Sequence, residues 1–302
     1  ANTVTATNFK IITSTGAAST TMTAGTSKAI TIKAYDASTY RAPAYAGTGV
    51  NAKVLVFSGA GNSPDGYVPT ARNNSAVDIN FASNTTVDFT NGEGSSALIL
   101  YSKQSGILIK ATEGTITTAD ANALTVTVNP EVKTKLVFSQ QPSSTSIINS
   151  SLTQQPIVVI RDTYGNQTAD TDSVRIYDSS SNIIYSDAAG TFSSDHLNNT
   201  VAAVAGAATF SGVKYSALGT IYLYAESGTL QPTWSSAITF STAGTSRVDV
   251  SATPVANFNL NPINDTEAEK FAVLKFKLTD AGGDSTATLI DRIKIAVGGT
   301  GA

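Results

Sequence analysis

The sequence predicts an all-β chain of sandwich modules in tandem, on three observations. Segments that alternate apolar and polar residues recur along the whole chain, clusters of Gly, Asn, Asp and Ser separate them, and no stretch sustains a helical period. The polar surface is built from hydroxyls: the 302 residues include 43 Thr and 34 Ser, while only 14% are charged. Thr suits a half-buried pleated surface, so this composition favours strands.

The alternation predicts strands in order at Phe9-Lys10-Ile11-Ile12-Thr13, at 29–35, at 53–57, at 107–111 and at 124–128. A second series follows at 135–138, 157–160, 173–177, 221–225 and 237–240. Runs such as 58–66, with Gly59, Gly61, Asn62, Pro64, Asp65 and Gly66, break strands and form turns. Strands at this spacing, separated by such turns, read as sandwiches.

The chain also repeats itself weakly. Ile107, Ala111, Gly114 and Thr115 recur 114 residues later as Ile221, Ala225, Gly228 and Thr229. Upstream, Ile32-Lys33-Ala34-Tyr35-Asp36 matches Val158-Val159-Ile160-Arg161-Asp162, a strand running into an acidic turn. Two copies of one module are implied, at 1–130 and 131–244, joined at Pro130, which has no amide hydrogen to continue a ladder. Residues 245–302 carry strand patterns at 247–250, 271–278 and 292–297. This piece is too small to hold a sandwich unaided, so it reads as an incomplete β unit finished by packing on the second module, by further chain or by a neighbouring subunit.

Composition excludes several functions. There is no cysteine, so thiol catalysis and Cys-based zinc sites have no residues to draw on, and with His196 as the single imidazole neither a His-based metal site nor a serine-type triad is expected. The net charge of −3 comes without a basic cluster, so nucleic acid is not an expected partner. No run approaches the length of a membrane-spanning helix, and no transmembrane segment is expected. The small-residue start Ala1-Asn2-Thr3 reads as the product of signal-peptide removal, which places the chain outside the cell. Six Asn-x-Ser/Thr triplets, at Asn73, Asn84, Asn149, Asn166, Asn198 and Asn264, are candidate glycosylation sites.

Two acidic groups, Asp280, Asp284 and Asp291, and Asp162, Asp170 and Asp172, are candidate ligands for a structural calcium ion, although neither follows the EF-hand spacing. No other cofactor is expected. Glu113 and Glu226 read as turn or surface residues, and Trp234 as a half-buried edge aromatic or a sugar-stacking platform.

Three stretches resemble a known family: Lys135-Leu136-Val137-Phe138-Ser139-Gln140-Gln141-Pro142, then Ile157-Val158-Val159-Ile160-Arg161-Asp162-Thr163-Tyr164-Gly165-Asn166, then Ala207-Ala208-Thr209-Phe210. Together they resemble the immunoglobulin-like modules of bacterial surface proteins of the invasin and intimin type. In the shared turn Asp162 would bond backbone amides, while Gly165 and Asn166 would tolerate positive φ. The resemblance implies tandem immunoglobulin-like sandwiches serving as spacers, adhesins, or lattice and fibre subunits.

The leading expectation is a non-catalytic subunit of an extracellular filament or lattice, partnered by copies of itself. Open, uncharged edge strands would add to a neighbour's sheet. The candidate assembly strands are 1–13 with Phe9 and Ile11, 124–128 with Val126, and 271–278 with Phe271, Val273 and Phe276. On this expectation, deleting 1–13 blocks assembly and spares the fold. The rivals are an adhesin or carbohydrate-binding module, displaying loops 40–49 and 58–74, and a polysaccharide-active accessory domain with paired carboxylates.

Overall fold

The computed structural model describes residues 4–179, 192–193, 199–243, 247–250 and 276–279. They are all-β, with short 3-10 turns at Gly49–Asn51 and Asp120–Asn122. The first module contains β1 (Asn8–Thr13), β2 (Ser19–Thr23), β3 (Ser27–Tyr35), β4 (Lys53–Ser58), β5 (Thr70–Arg72) and β6 (Asp78–Asn80). It continues with β7 (Asn84–Val87), β8 (Phe89–Thr90), β9 (Glu93–Ile99), β10 (Gln104–Glu113), β11 (Ile116–Thr118) and β12 (Leu124–Asn129).

One layer runs β1-β3-β9-β5-β6, with β8 hairpinned onto β9, and the other runs β2-β12-β10-β4-β7. The hairpin partner of β10, β11, lies parallel to β1 and ties the layers together. Along β3 the period of two is plain: Ile30, Ile32 and Ala34 are buried, while Thr31 and Lys33 lie half-exposed on the other face. Phe9, Ile11, Ile32 and Leu98 from the first layer meet Leu55, Phe57, Ile109 and Val126 from the second in a single core. Each such side chain contributes roughly 1.5–3 kcal/mol through burial.

The second module contains β13 (Lys133–Gln140), β14 (Thr145–Ile147), β15 (Ile157–Asp162), β16 (Ser173–Ser179), β17 (Phe192–Ser193) and β18 (Thr200–Ala202). It continues with β19 (Ala207–Thr209), β20 (Lys214–Tyr215), β21 (Gly219–Glu226), β22 (Thr233–Trp234) and β23 (Ile238–Ser241). Its layers are β13-β15-β19 and β14-β23-β21-β16-β18, with a separate core that includes Leu136, Val158, Ile160, Ile176, Leu223 and Phe240.

The pairing scheme of the first module recurs in the second. The antiparallel pairs β1/β3, β3/β9, β4/β10, β4/β7 and β10/β12 return as β13/β15, β15/β19, β16/β21, β16/β18 and β21/β23. The parallel pair β2/β12 returns as β14/β23. The parallel contact of β1 with β11 returns as a bridge between Lys135 and Gln231. Ala111 lies opposite Phe57 and Ala225 opposite Ile176, so the spacing of 114 read in the sequence joins equivalent places on equivalent strands.

A single turn design recurs at 13–17, 36–40, 63–67, 73–77 and 162–166. In each, the first residue's N–H donates to the fifth residue's carbonyl, and the fourth residue's N–H returns to the first's carbonyl. A short polar side chain at the first place accepts the fifth N–H: Thr13, Asp36, Ser63, Asn73 and Asp162 do this. The fourth place needs positive φ and is held by Gly16, Thr39, Gly66, Ala76 and Gly165.

Of the expected assembly edges, 124–128 is interior, and 1–13 is occupied by β3 along β1 and by β11 at Asn8 and Phe9. Phe9 and Ile11 are fully buried. Val126 is fully buried, and β12 has β10 on one side and β2 on the other. The reason is that a short Thr-rich strand, β2, covers the margin that 124–128 would otherwise expose. Of the third expected edge, Phe276 begins β25 (Phe276–Thr279), which pairs with β24 (Arg247–Val250), while Phe271 and Val273 lie outside the described residues.

Candidate functional site: a joint between the modules

The feature that distinguishes this chain from two sandwiches on a string is the contact between them. It is built on the turn 162–166 that follows β15. Asp162 is fully buried, and its carboxylate is surrounded by donors. Oδ1 accepts from Tyr164 N (2.9 Å) and Asn166 N (2.8 Å). Oδ2 accepts from Asn166 Nδ2 (2.8 Å) and from Glu131 N (2.9 Å) in the connector. One side chain therefore fixes both its own turn and the chain that enters the module.

Asn166 carries the contact across. Its Nδ2 donates to Tyr101 O (2.8 Å), and its Oδ1 accepts from Lys103 N (2.6 Å), both on the loop between β9 and β10. Lys103 Nζ also donates to Gln167 O (3.1 Å), and Asp65 N donates to Tyr164 O (3.2 Å). Asp65 forms an ion pair with Lys135 of β13, whose Nζ also reaches Thr163 O (3.3 Å).

Tyr164 packs against the first module's core cluster, and its ring meets Tyr67 edge-on at 5.0 Å and Tyr101 at 5.0 Å. Tyr67 and Tyr101 lie 5.5 Å apart, closing a triangle of rings from both modules. Burial, then the Glu131 carboxylate, pushes the Tyr164 phenol above its ordinary range, and burial does the same for Tyr101. Two glycines make room. A Cβ on Gly25 would fall 1.9 Å from the Tyr164 hydroxyl, and one on Gly165 would fall 2.5 Å from Asp65 Oδ1.

The sequence-derived candidates distribute as follows. Asp162, Asp170 and Asp172 do not converge: Asp162 is committed to the turn, while Asp170 and Asp172 flank the Lys133 ammonium. That contact raises the Lys133 pKa, chiefly through its bond to Asp172, and the Asp170 carboxyl is held low, first by Thr168 and then by Lys133. Among the described residues no group of three His, Cys, Asp or Glu is placed to hold a metal ion, and Asp280, Asp284, Asp291 and His196 lie outside them.

Asn166 cannot carry a glycan in the folded chain, because its amide is buried and both its hydrogens are bonded. Nor does Asn166 take the positive φ expected of it; Gly165, at 85°, takes it alone. Asn84 and Asn149 are exposed and Asn73 is half-exposed, while Asn198 and Asn264 fall outside the described residues. The loop 58–74 is not a free display loop, since Asp65 and Tyr67 belong to the joint.

Glu113 and Glu226 each accept a tyrosine hydroxyl, from Tyr45 and Tyr177. Burial first, and Glu113 second, drive the Tyr45 phenol far above its ordinary range. Trp234 is half-buried against Tyr224, with ring centres 4.7 Å apart. Among the described residues no helix is long and apolar enough to cross a membrane.

Comparison by sequence finds no matching family model and no matching curated protein. Among solved structures the chain is similar to the Escherichia coli adhesin FdeC, at 13% identity over 79% of this chain and 65% of that one, TM-score 0.32. It is similar to the Yersinia pseudotuberculosis adhesin InvE, at 12% identity over 80% of this chain and 60% of that one, TM-score 0.29. It is also similar to a glycosyl hydrolase family 2 member from Bacteroides cellulosilyticus, at 9% identity over 72% of this chain and 23% of that one, TM-score 0.31. The chain spans less than two thirds of the length of each.

Proposed function

We propose that the chain is a non-catalytic structural subunit of an extracellular filament or lattice, in which two immunoglobulin-like sandwiches act as one stiff segment. The observation that carries this reading is the joint. A linker meant only to tether would leave the modules free to swivel, whereas here one buried carboxylate, Asp162, holds the connector and its own turn while Asn166 holds the neighbouring module. The non-catalytic part rests on composition, with no thiol and one imidazole in the whole chain. Small-angle scattering tests the stiffness. The full chain should scatter as a particle of fixed length, and Tyr164→Ala should broaden its distance distribution while circular dichroism stays unchanged. A wild-type profile already requiring an ensemble of module orientations would overturn the reading.

A second reading, an adhesin or carbohydrate-binding module, is favoured by one place. Arg41, Asn74, Asp88, Asn91 and Glu93 line an open polar cleft of about 610 Å³, and Tyr40, the residue before Arg41 in sequence, is 67% exposed. Carboxylates and amides lining an open cleft suit the hydroxyls of a sugar. Glycan-array binding that is lost in Tyr40→Ala would favour this reading, and a blank array would remove it.

A further inference from the structure

We propose that the outer edge of β2 pairs with the same edge of a second copy of this chain, antiparallel and centred on Thr21. The proposal rests on the reading of the chain as a self-assembling subunit and names one contact of that assembly, a two-fold pair that closes on itself and needs a second contact to propagate.

The edge is open. β2 pairs with β12 on one side, and among the described residues no strand lies on the other. Thr125 N donates to Ala18 O (3.0 Å) and Ala24 N to Asn129 O (2.9 Å), so even-numbered residues turn their backbone groups toward β12. Ser19, Thr21 and Thr23 turn theirs outward. Ser19 and Thr21 are exposed, whereas Met22 is buried and anchors the strand.

The edge also lacks the usual protection. Proteins blunt free edges with Lys, Pro or a bulge. From Ile11 to Ser27 there is no charged residue and no proline, and β2 keeps an unbroken register with β12 from Ser19 to Thr23. Three other margins carry such guards: β13 bears Lys133 and Lys135, β6 bears Asp78 ion-paired to Arg72, and Thr86 O on the outer side of β7 is taken by Asn74 N.

Composition and parity select the occupant. A strand without charge can lie against itself without repulsion, and Thr opposite Thr is a favourable cross-strand pair. In a two-fold antiparallel arrangement the two Thr21 residues exchange both N–H···O bonds, and Ser19 of each copy faces Thr23 of the other. The bonds at Thr21 and from Thr23 N to Ser19 O of the other copy then form, while Thr23 O keeps its own bonds from Thr26 N (3.1 Å) and Thr26 Oγ1 (2.6 Å). Such an interface is isologous.

The absence of cysteine makes the test direct. Hydrogen-bonded antiparallel partners have Cα atoms about 5.5 Å apart, a separation a disulfide spans. Full-length Thr21→Cys, mildly oxidised, should form a covalent dimer about tenfold or more faster than the exposed control Ser38→Cys, because pairing raises the local thiol concentration. In sedimentation the wild type should dimerise as concentration rises, and Thr21→Lys should remain monomeric with an unchanged circular dichroism spectrum. Equal cross-linking rates for Thr21→Cys and Ser38→Cys, a wild type monomeric at every concentration, or an undiminished Thr21→Lys dimer would each overturn the proposal. Failure here with an unaltered scattering length would leave the stiff-segment reading standing, and a swivelling but dimeric chain would do the reverse.

Discussion

Thr39 and Ala76 sit at the fourth place of their turns with φ of 70° and 63°, where Gly16, Gly66 and Gly165 do so without a Cβ to strain. The left-handed conformation costs a non-glycine residue about 1 kcal/mol. Ala76→Gly is therefore expected to raise stability by about 0.5 kcal/mol, the remainder being offset by the entropy of a freer unfolded chain; urea unfolding will read it. Asp162→Ala should act in the opposite sense and cost about 3 kcal/mol, since it strands several buried donors at once. A pH effect belongs to Asp178, whose carboxyl burial pushes up. A raised folded pKa contributes stability below the unfolded value and loses it as pH rises. Asp178→Asn should therefore melt increasingly above the wild type as pH rises past about 4, the ordinary Asp carboxyl value. At this scale the Asp162 turn is legible in the sequence, because Asp and Gly at first and fourth place state their own geometry. Asn166 reads locally as a second glycine substitute, since nothing nearby in sequence shows that its amide crosses to another module.

At the scale of the element, the alternating segments are legible as strands, and their positions are not. Phe9-Lys10-Ile11 and Leu124-Thr125-Val126 look alike whether they border a sheet or lie inside it, because alternation reports one buried face and says nothing of lateral neighbours. The strand that does form the margin, Ser19-Thr20-Thr21-Met22-Thr23, has a single apolar side chain and hence almost no period to mark it. The buried face of β1 changes an outcome. Removing 1–13 takes Phe9 and Ile11 out of the core and should unfold the first module, which loss of its circular dichroism signal would register. Phe9→Ala alone should cost about 3–5 kcal/mol in chemical denaturation.

At the scale of the whole molecule, the internal repeat is legible because matched strands keep matched pairings. The joint is not, since Tyr67, Tyr101 and Tyr164 are far apart in sequence and each reads as an ordinary strand-end aromatic. Its consequence is cooperative melting. Calorimetry of the full chain should show the modules unfolding together, and Gly25→Val, which places a side chain where the Tyr164 hydroxyl rests, should split the trace into two transitions. A further property follows from the parallel pairs β2/β12 and β14/β23, each formed by strands near the entry and exit of its module. Tension applied along the chain slides such strands past one another lengthwise, so the bonds between them bear the load simultaneously. An antiparallel hairpin pulled from its open end unzips one rung at a time, and this architecture meets a tug in its strongest direction, twice in series.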